Sequence, residues 1–374
     1  MADHSFLFIP DISGFTKFVN NTEISHSQHI ISELLELIID SDELDLEVSE
    51  VEGDAVLFFG KNEVPTTEAI LAQVKKTFIK FHEHLTLYET QRICQCGACS
   101  TASHLSLKFV AHCGEMQMIR VKGGEKPYGP DVILAHRLLK NNVPSNEYVL
   151  LTQQVTKAEV PEMSVAGDTV VGQDGHMEYD DAGTADFKFL SIEGLHKELM
   201  PPPEKKLPEL TDDPVRLSIF INRSLDDVFE ILINFEHRLK WNRSVNGMEY
   251  NEKEVNRVGS EHMCLVGKDM IGFETITNDF GKDKLVYGER ILKAPFSKDI
   301  AVYYIVEAEG GGTRLKTEIH IKPTPFIGHL FKPLIKKKLR ASSQKALDAI
   351  KDVMEGNMVS DQSVGVNADQ QSLS

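Results

Sequence analysis

Apolar residues along this chain follow two periods, and the switches between them mark out the elements. Residues 5–10 form an apolar strand that runs straight into Asp11, Ile12, Ser13, Gly14, Phe15 and Thr16. Ile30, Ile31, Leu34, Leu35 and Ile38 then recur at helical spacing. Residues 44–59 read as a β-hairpin with Glu52, Gly53 and Asp54 at its tip. A long amphipathic helix is expected over 66–88, a strand over 105–112, a helix over 130–140, and strands over 148–152 and 187–192. This mixture predicts an α+β sandwich, with helices on one side of a mainly antiparallel sheet.

Pro201, Pro202, Pro203, Pro208 and Pro214 interrupt the pattern. Proline fixes φ and removes a donor, so residues 196–214 read as a semi-rigid linker between domains at 1–195 and 215–355. In the second domain a strand over 215–221 leads to Ser224, with Asp227 three residues on, as in a capping box. The helix that follows is expected to run through Val228, Phe229, Leu232 and Phe235 to Trp241. Ile300, Val302, Tyr304 and Val306 alternate, as do Leu315, Thr317, Ile319 and Ile321, and Gly310, Gly311 and Gly312 join the two strands as a hairpin turn. A closing amphipathic helix over 326–354 is expected to bury Phe331, Leu334, Leu339, Leu347 and Ile350. An apolar cavity is expected between that helix and a curved sheet. Residues 356–374 are polar, lack Lys and Arg, and read as a disordered tail.

Composition narrows the function classes. A length of 374 residues with 41% hydrophobic content supports two domains with real cores. A net charge of −17 argues against nucleic-acid binding, although a metal-bound nucleotide remains compatible. No apolar run reaches the length of a transmembrane segment, and the N-terminus lacks the basic region and cleavage site of a signal peptide. Of the five cysteines, four fall between positions 94 and 113, which does not resemble a disulfide framework. The expectation is a cytoplasmic protein with reduced thiols.

Three clusters carry candidate chemistry. Asp11 and Asp54, presented from neighbouring strand ends, suit Mg²⁺ or Mn²⁺ held against a polyphosphate. Without metal, Asp11 would cap the next helix and Asp54 would be a turn residue. Cys94, Cys96 and Cys99, with His104 or Cys113 as a fourth ligand, suit tetrahedral zinc, or else are ordinary thiols. Lys336, Lys337, Lys338 and Arg340 beside Leu334, Ile335 and Leu339 suit either an anionic lipid surface or a solvated helix face.

Residues 11–16, together with Gly53 and Asp54, resemble the metal-binding blocks of class III nucleotidyl cyclases. The strand 107–114 with His112 and Gly114, and the stretch from Tyr128 and Gly129 to Arg137, are similar to later blocks of that family. The resemblance covers roughly residues 5–195 and implies a ferredoxin-like β-α-β-β-α-β core. It further implies a two-metal site on Asp11, Asp54 and the Ile12 carbonyl, a nucleoside triphosphate substrate, and Arg137 as a transition-state residue. Glu50 falls where a glutamate accompanies guanine selection, and Lys126 where a second residue completes base recognition. The family's active site forms between two catalytic domains, which implies a homodimer. This chain departs from the pattern at Ile133, where an asparagine orients the ribose, at Lys126, and in lacking a phosphate-binding lysine near 187–195.

Residues 215–355 resemble the START-like, polyketide-cyclase-like (SRPBCC) helix-grip fold, which implies a hydrophobic small molecule or lipid as ligand. The readings are therefore a cyclase tuned by an apolar ligand, a non-catalytic sensor or scaffold, and a lipid-binding protein.

Overall fold

The computed structural model describes residues 3–356 except 61–63, 123, 158, 181–182, 204–205, 253 and 282. The tail expected over 356–374 therefore lies, from 357 onward, outside the described residues. The chain divides into two compact units, Met1–Lys205 with Asn251–Arg257, and Lys206–Tyr250 with Val258–Ser374.

The first unit is organised around β1 (Asp3–Ser13). Phe6 and Phe8 point to one face, Leu7 and Ile9 to the other, and all four are buried. A strand apolar on both faces must be central, and β1 lies between β3 (Ala55–Gly60) and β4 (Ser106–Val121), antiparallel to both. Beyond β3 lies β2 (Glu47–Glu52); β5 (Gly124–Tyr128) pairs with the far end of β4. Next to β4 comes β6 (Tyr148–Thr152), in parallel register. A small separate pair, β7 (Glu162–Val165) and β8 (Asp168–Val171), precedes β9 (Gln173–Tyr179) and β10 (Gly183–Ser191), which extend the main sheet from β6.

Helices cover both faces of this sheet, not the single face expected. After the short α1 (Phe15–Asn20), the long helices α2 (Ile24–Ile39) and α3 (Thr67–Thr90) pack on each other and against β3 and β4. Beyond the turn α4 (Gly97–Thr101), the helix α5 (Pro130–Arg137) sets Val132, Leu134 and Ala135 against Leu7, Ile9, Leu57 and Val110 on the opposite face. The reason lies in β1 itself: Leu7 and Ile9 cannot be left in water once Phe6 and Phe8 are buried. A further turn, α6 (Gln153–Thr156), follows β6.

The second unit is a seven-stranded antiparallel sheet. It starts with β11 (Val215–Ile221), then α7 (Leu225–Ile233) and α8 (Arg238–Trp241). Six strands follow: β12 (Gly247–Tyr250), β13 (Glu261–Val266), β14 (Asp269–Ile276), β15 (Leu285–Ile291), β16 (Ser297–Glu309) and β17 (Gly312–Pro323). The sheet order is β11-β17-β16-β15-β14-β13-β12, and α9 (Ile327–Glu355) closes the unit. Ser224 caps α7 by accepting from the Asp227 amide at 3.2 Å. The single helix expected to reach Trp241 is broken at Asn234, whose extended ψ of 113° ends α7 and whose side chain accepts from the Glu236 amide. Gly310 and Gly311 both have positive φ, as a two-residue hairpin turn joining β16 to β17 requires.

Two expectations for this unit need correction. The alternation in β16 is not one-sided: Ala301, Tyr303 and Ile305 are buried too, in a cluster with Ile276 that Phe280 and Val286 pack against. The apolar stripe of α9 is buried only in its second half, at Ala346, Leu347, Ala349 and Ile350. Leu334 is 63% exposed, and Phe326, Ile327 and Leu330 are exposed beside it, whereas Gly328 is buried and Phe331 stacks on Phe296 at 4.5 Å, so the first half of the helix leaves one apolar face in solvent.

Trp241, the chain's one tryptophan, is fully buried, donates to the Ile231 carbonyl at 2.8 Å and lies under the Arg238 guanidinium. Trp241→Phe keeps most of the ring but leaves that carbonyl unpaired. It is expected to lower the stability of the second unit by ~1–3 kcal/mol, read as a shifted urea midpoint by circular dichroism. An unchanged midpoint would mean that the indole bond contributes nothing.

Candidate functional site

The hairpin of β2 and β3 turns on Gly53 (φ 63°) and Asp54, with Glu52 paired to Ala55. The Asp54 carbonyl accepts from the Ile12 amide at 2.9 Å, which ties the hairpin tip to the end of β1. Gly14, with φ 89°, then lets the chain turn out of the strand into α1. Asp11 and Asp54 consequently line one cleft of about 630 Å³. Its walls also carry Ile12, Glu52, His136 and three lysines, Lys17, Lys108 and Lys140.

Lys108 stands opposite Asp11 in the β1–β4 register, and its ammonium is 3.2 Å from Asp11 Oδ1 while donating to the Leu139 carbonyl at 3.3 Å. Burial raises the Asp11 carboxyl above the usual carboxylate range; Lys108 works against that shift and the Asp54 charge adds to it. Burial raises Asp54 as well. Two carboxylates whose charges are desolvated, with an ammonium already drawn to one of them, form a place where a cation is favoured. The oxygen donors fit a hard divalent ion. The sequence signal for Lys108 was a lone charge between the apolar residues Leu107 and Phe109.

Glu50 and Lys126 are brought together as an ion pair, apart from the residues that line the cleft. His136 connects the two regions, with Nδ1 3.4 Å from Glu52 Oε2 and Nε2 4.0 Å from Glu50 Oε1. Arg137 and Ile133 lie exposed on α5, one turn apart and outside the cleft lining.

His112 and Gly114 have a positioning role. His112 is fully buried between Thr152 Oγ1 at 2.9 Å and Asp131 Oδ1 at 3.0 Å, and the other Asp131 oxygen accepts from the Glu115 amide. A Cβ on Gly114 would fall 2.1 Å from the Asp131 side chain, so only glycine lets the start of α5 seat on β4.

Cys94, Cys96 and Cys99 converge, and their fourth neighbour is His26 of α2. His104, the expected ligand, is exposed and outside the group, and Cys113 is buried on β4. No spacing rule pointed to His26, because it comes from another element far back in the chain.

The second unit holds a buried polar cluster with no counterpart in the sequence analysis. The Arg238 guanidinium pairs with Glu289 and donates to the Tyr287 hydroxyl at 3.1 Å, and Tyr287 donates to Glu289 at 2.6 Å. His262 Nε2 lies 3.4 Å from Glu289 Oε1. All four residues are buried, yet Arg238 Nε and His262 Nδ1 have no hydrogen-bond partner among the described residues.

Comparison with known proteins divides along the same lines. Residues 214–355 match the family described as "Polyketide cyclase / dehydrase and lipid transport", which the second unit resembles. Residues 31–148 match the family described as "Protein of unknown function (DUF2652)". An uncharacterized protein of Mycobacterium tuberculosis is 34% identical over 129 residues, which is 34% of this chain and 59% of that protein. The chain thus spans less than two thirds of that relative's length. Among solved structures, the catalytic core of a rhodopsin-guanylyl cyclase with converted specificity, in complex with ATPalphaS, is 15% identical, with a TM-score of 0.37, over 51% of this chain and 96% of its own. A START superfamily protein from Mycobacterium smegmatis is 13% identical, with a TM-score of 0.30, over 39% of this chain and 99% of its own.

Burial, and after it the positive charge of Arg238, push the His262 pKa down to about 2. The folded unit keeps this imidazole neutral while the unfolded chain protonates it below pH ~6.5. Stability is therefore present above that pH and lost as pH falls, by ~1.4 kcal/mol per pH unit from this group. His262→Gln is expected to flatten the acid limb of urea stability measured between neutral and mildly acid pH. A variant with the wild-type slope would show that His262 does not carry it.

Proposed function

We propose that the first unit binds a metal–nucleoside triphosphate at Asp11 and Asp54 and converts it to a cyclic nucleotide, while the second binds a hydrophobic small molecule that sets the output. The observation that carries this reading is the convergence of Asp11 and Asp54 on one cleft with Lys17, Lys108 and Lys140. The two carboxylates and the Ile12 carbonyl would hold Mg²⁺ or Mn²⁺. Such an ion, when bound, supplies Lewis acidity at the α-phosphate and favours ionisation of the ribose 3′ hydroxyl. The three lysines would then neutralise the remaining phosphate charge, with Lys108 exchanging Asp11 for a phosphate oxygen. The 3′ oxygen bonds to the α-phosphorus, its proton passes to water, and the bond to pyrophosphate breaks.

Glu50, held by Lys126, has an acceptor carboxylate for the guanine ring N–H and amino group. Because Glu50, Lys126 and Arg137 stand apart from the cleft lining, the reading includes a homodimer in which a second copy supplies them to it. A second reading, nucleotide binding without turnover, is favoured by Ile133, whose exposed side chain has no polar atom to orient a ribose. In the second unit the orphaned Arg238 Nε and His262 Nδ1 suit the polar end of an otherwise apolar ligand.

Purified protein with Mn²⁺ and each nucleoside triphosphate in turn, read by mass detection, tests the first half. Cyclic product is expected from GTP, and its loss in Asp11→Asn and Asp54→Asn. Tight nucleotide binding without product selects the second reading, and neither binding nor product overturns both. For the second unit, a thermal-shift screen of fatty acids, sterols and aromatic polyketides is expected to raise its melting temperature with at least one class. A screen with no response removes the ligand-binding half.

A further inference from the structure

We propose that His26, Cys94, Cys96 and Cys99 form a closed structural zinc site that fastens α2 to the α4 turn. The four ligand atoms, His26 Nδ1 and the three Sγ atoms, all lie within 4.8 Å of one another. A zinc ion with Zn–S near 2.3 Å and Zn–N near 2.0 Å at the centre of a tetrahedron sets nitrogen and sulfur about 3.5 Å apart. His26 Nδ1 lies 3.2 Å from Cys96 Sγ, 3.4 Å from Cys94 Sγ and 3.6 Å from Cys99 Sγ. The imidazole therefore already stands at the metal-site distance from all three sulfurs.

The surroundings suit thiolate ligands. The Cys96 amide points at Cys94 Sγ and the Cys99 amide at Cys96 Sγ, each at 3.4 Å. Backbone donors of this kind offset the net negative charge of three thiolates around one divalent ion. Cys94 and Cys99 are buried and Cys96 is half-buried, so the group is shielded. Three sulfurs and one nitrogen leave no open position and match zinc rather than a hard oxygen-loving ion.

The local backbone is built for this convergence. Glu23, which stands at the N-cap position of α2, accepts from the Ala98 amide at 3.2 Å, and Gly97 lets that carboxylate approach α4. That contact joins the two elements on one side, and the metal would join them on the other. The loop closed between His26 and Cys94 is long, so fixing its ends constrains the unfolded chain strongly.

The test uses the full chain purified without chelator. Stoichiometric zinc by elemental analysis is expected, along with slow reaction of the three thiols with a disulfide reagent until a strong chelator is added. Cobalt substitution is expected to give thiolate-to-metal charge-transfer bands and the intense visible bands of tetrahedral coordination, both bleached by added zinc. His26→Cys should retain the metal, His26→Ala should lose most of it, and His104→Ala should leave it unchanged. If Cys96→Ser fails to fold, the cobalt spectrum of the wild-type chain still decides. Zinc absent, thiols freely reactive and no charge-transfer band would overturn the proposal. Metal loss on His104→Ala with retention on His26→Ala would overturn the ligand assignment.

Discussion

One backbone hydrogen bond holds the first unit's cleft together: the Ile12 amide gives its proton to the Asp54 carbonyl. Strand β1 reaches its end there, and an unpaired amide beside a buried core would be costly. The β2–β3 hairpin meets that need with its own tip. Two acids from distant parts of the sequence thereby reach the rim of one sheet, where burial works against their charges and Lys108 partly compensates. A cleft made this way sets its acids beside Lys108, and the same backbone bond fixes where those acids stand.

The two units place charge in opposite settings. In the first, acids and lysines face a cleft and can exchange partners with a bound ion or phosphate. In the second, Arg238, Glu289, Tyr287 and His262 are buried and pair mainly with one another, with Arg238 Nε and His262 Nδ1 left without a partner among the described residues. Removing one member there would strand a buried charge, which is expensive. The first arrangement can exchange its partners, and the second holds its two unpartnered nitrogens in a fixed frame.

Features that depended on neighbouring residues were legible in the sequence. Residues 5–16 contain the strand, the acid, the turn glycine and the start of α1 in order, and Glu52, Gly53 and Asp54 specify their own turn. Features that depended on distant residues were not. His26 meets the cysteines only because α2 packs beside α4, and Arg238 meets Glu289 only through the order of strands in the sheet. The burial of Leu7 and Ile9 under α5 was visible as an apolar run, but the run alone does not say how many faces it must cover. Leu334 shows the reverse: it lies thirteen residues before Leu347, and at about 100° per residue it stands roughly 140° around α9 from it, on a face that the buried stripe does not share.

The position of β1 in the sheet has a consequence for how the chain is made. Strand β1 is central, and its Phe6 pairs with Cys113 of β4, far downstream in the chain. Until that much of the chain has emerged, Phe6, Leu7, Phe8 and Ile9 have one neighbour at most, the nearer hairpin strand β3. Loop closure of this range is slow, and an unpaired apolar strand is what chaperones bind. The second unit begins differently, since β16 and β17 are joined by a two-residue turn and can pair as soon as both are synthesised. Nascent chains stalled before β4 should therefore be held by chaperones, whereas those past β17 should already contain a folded hairpin.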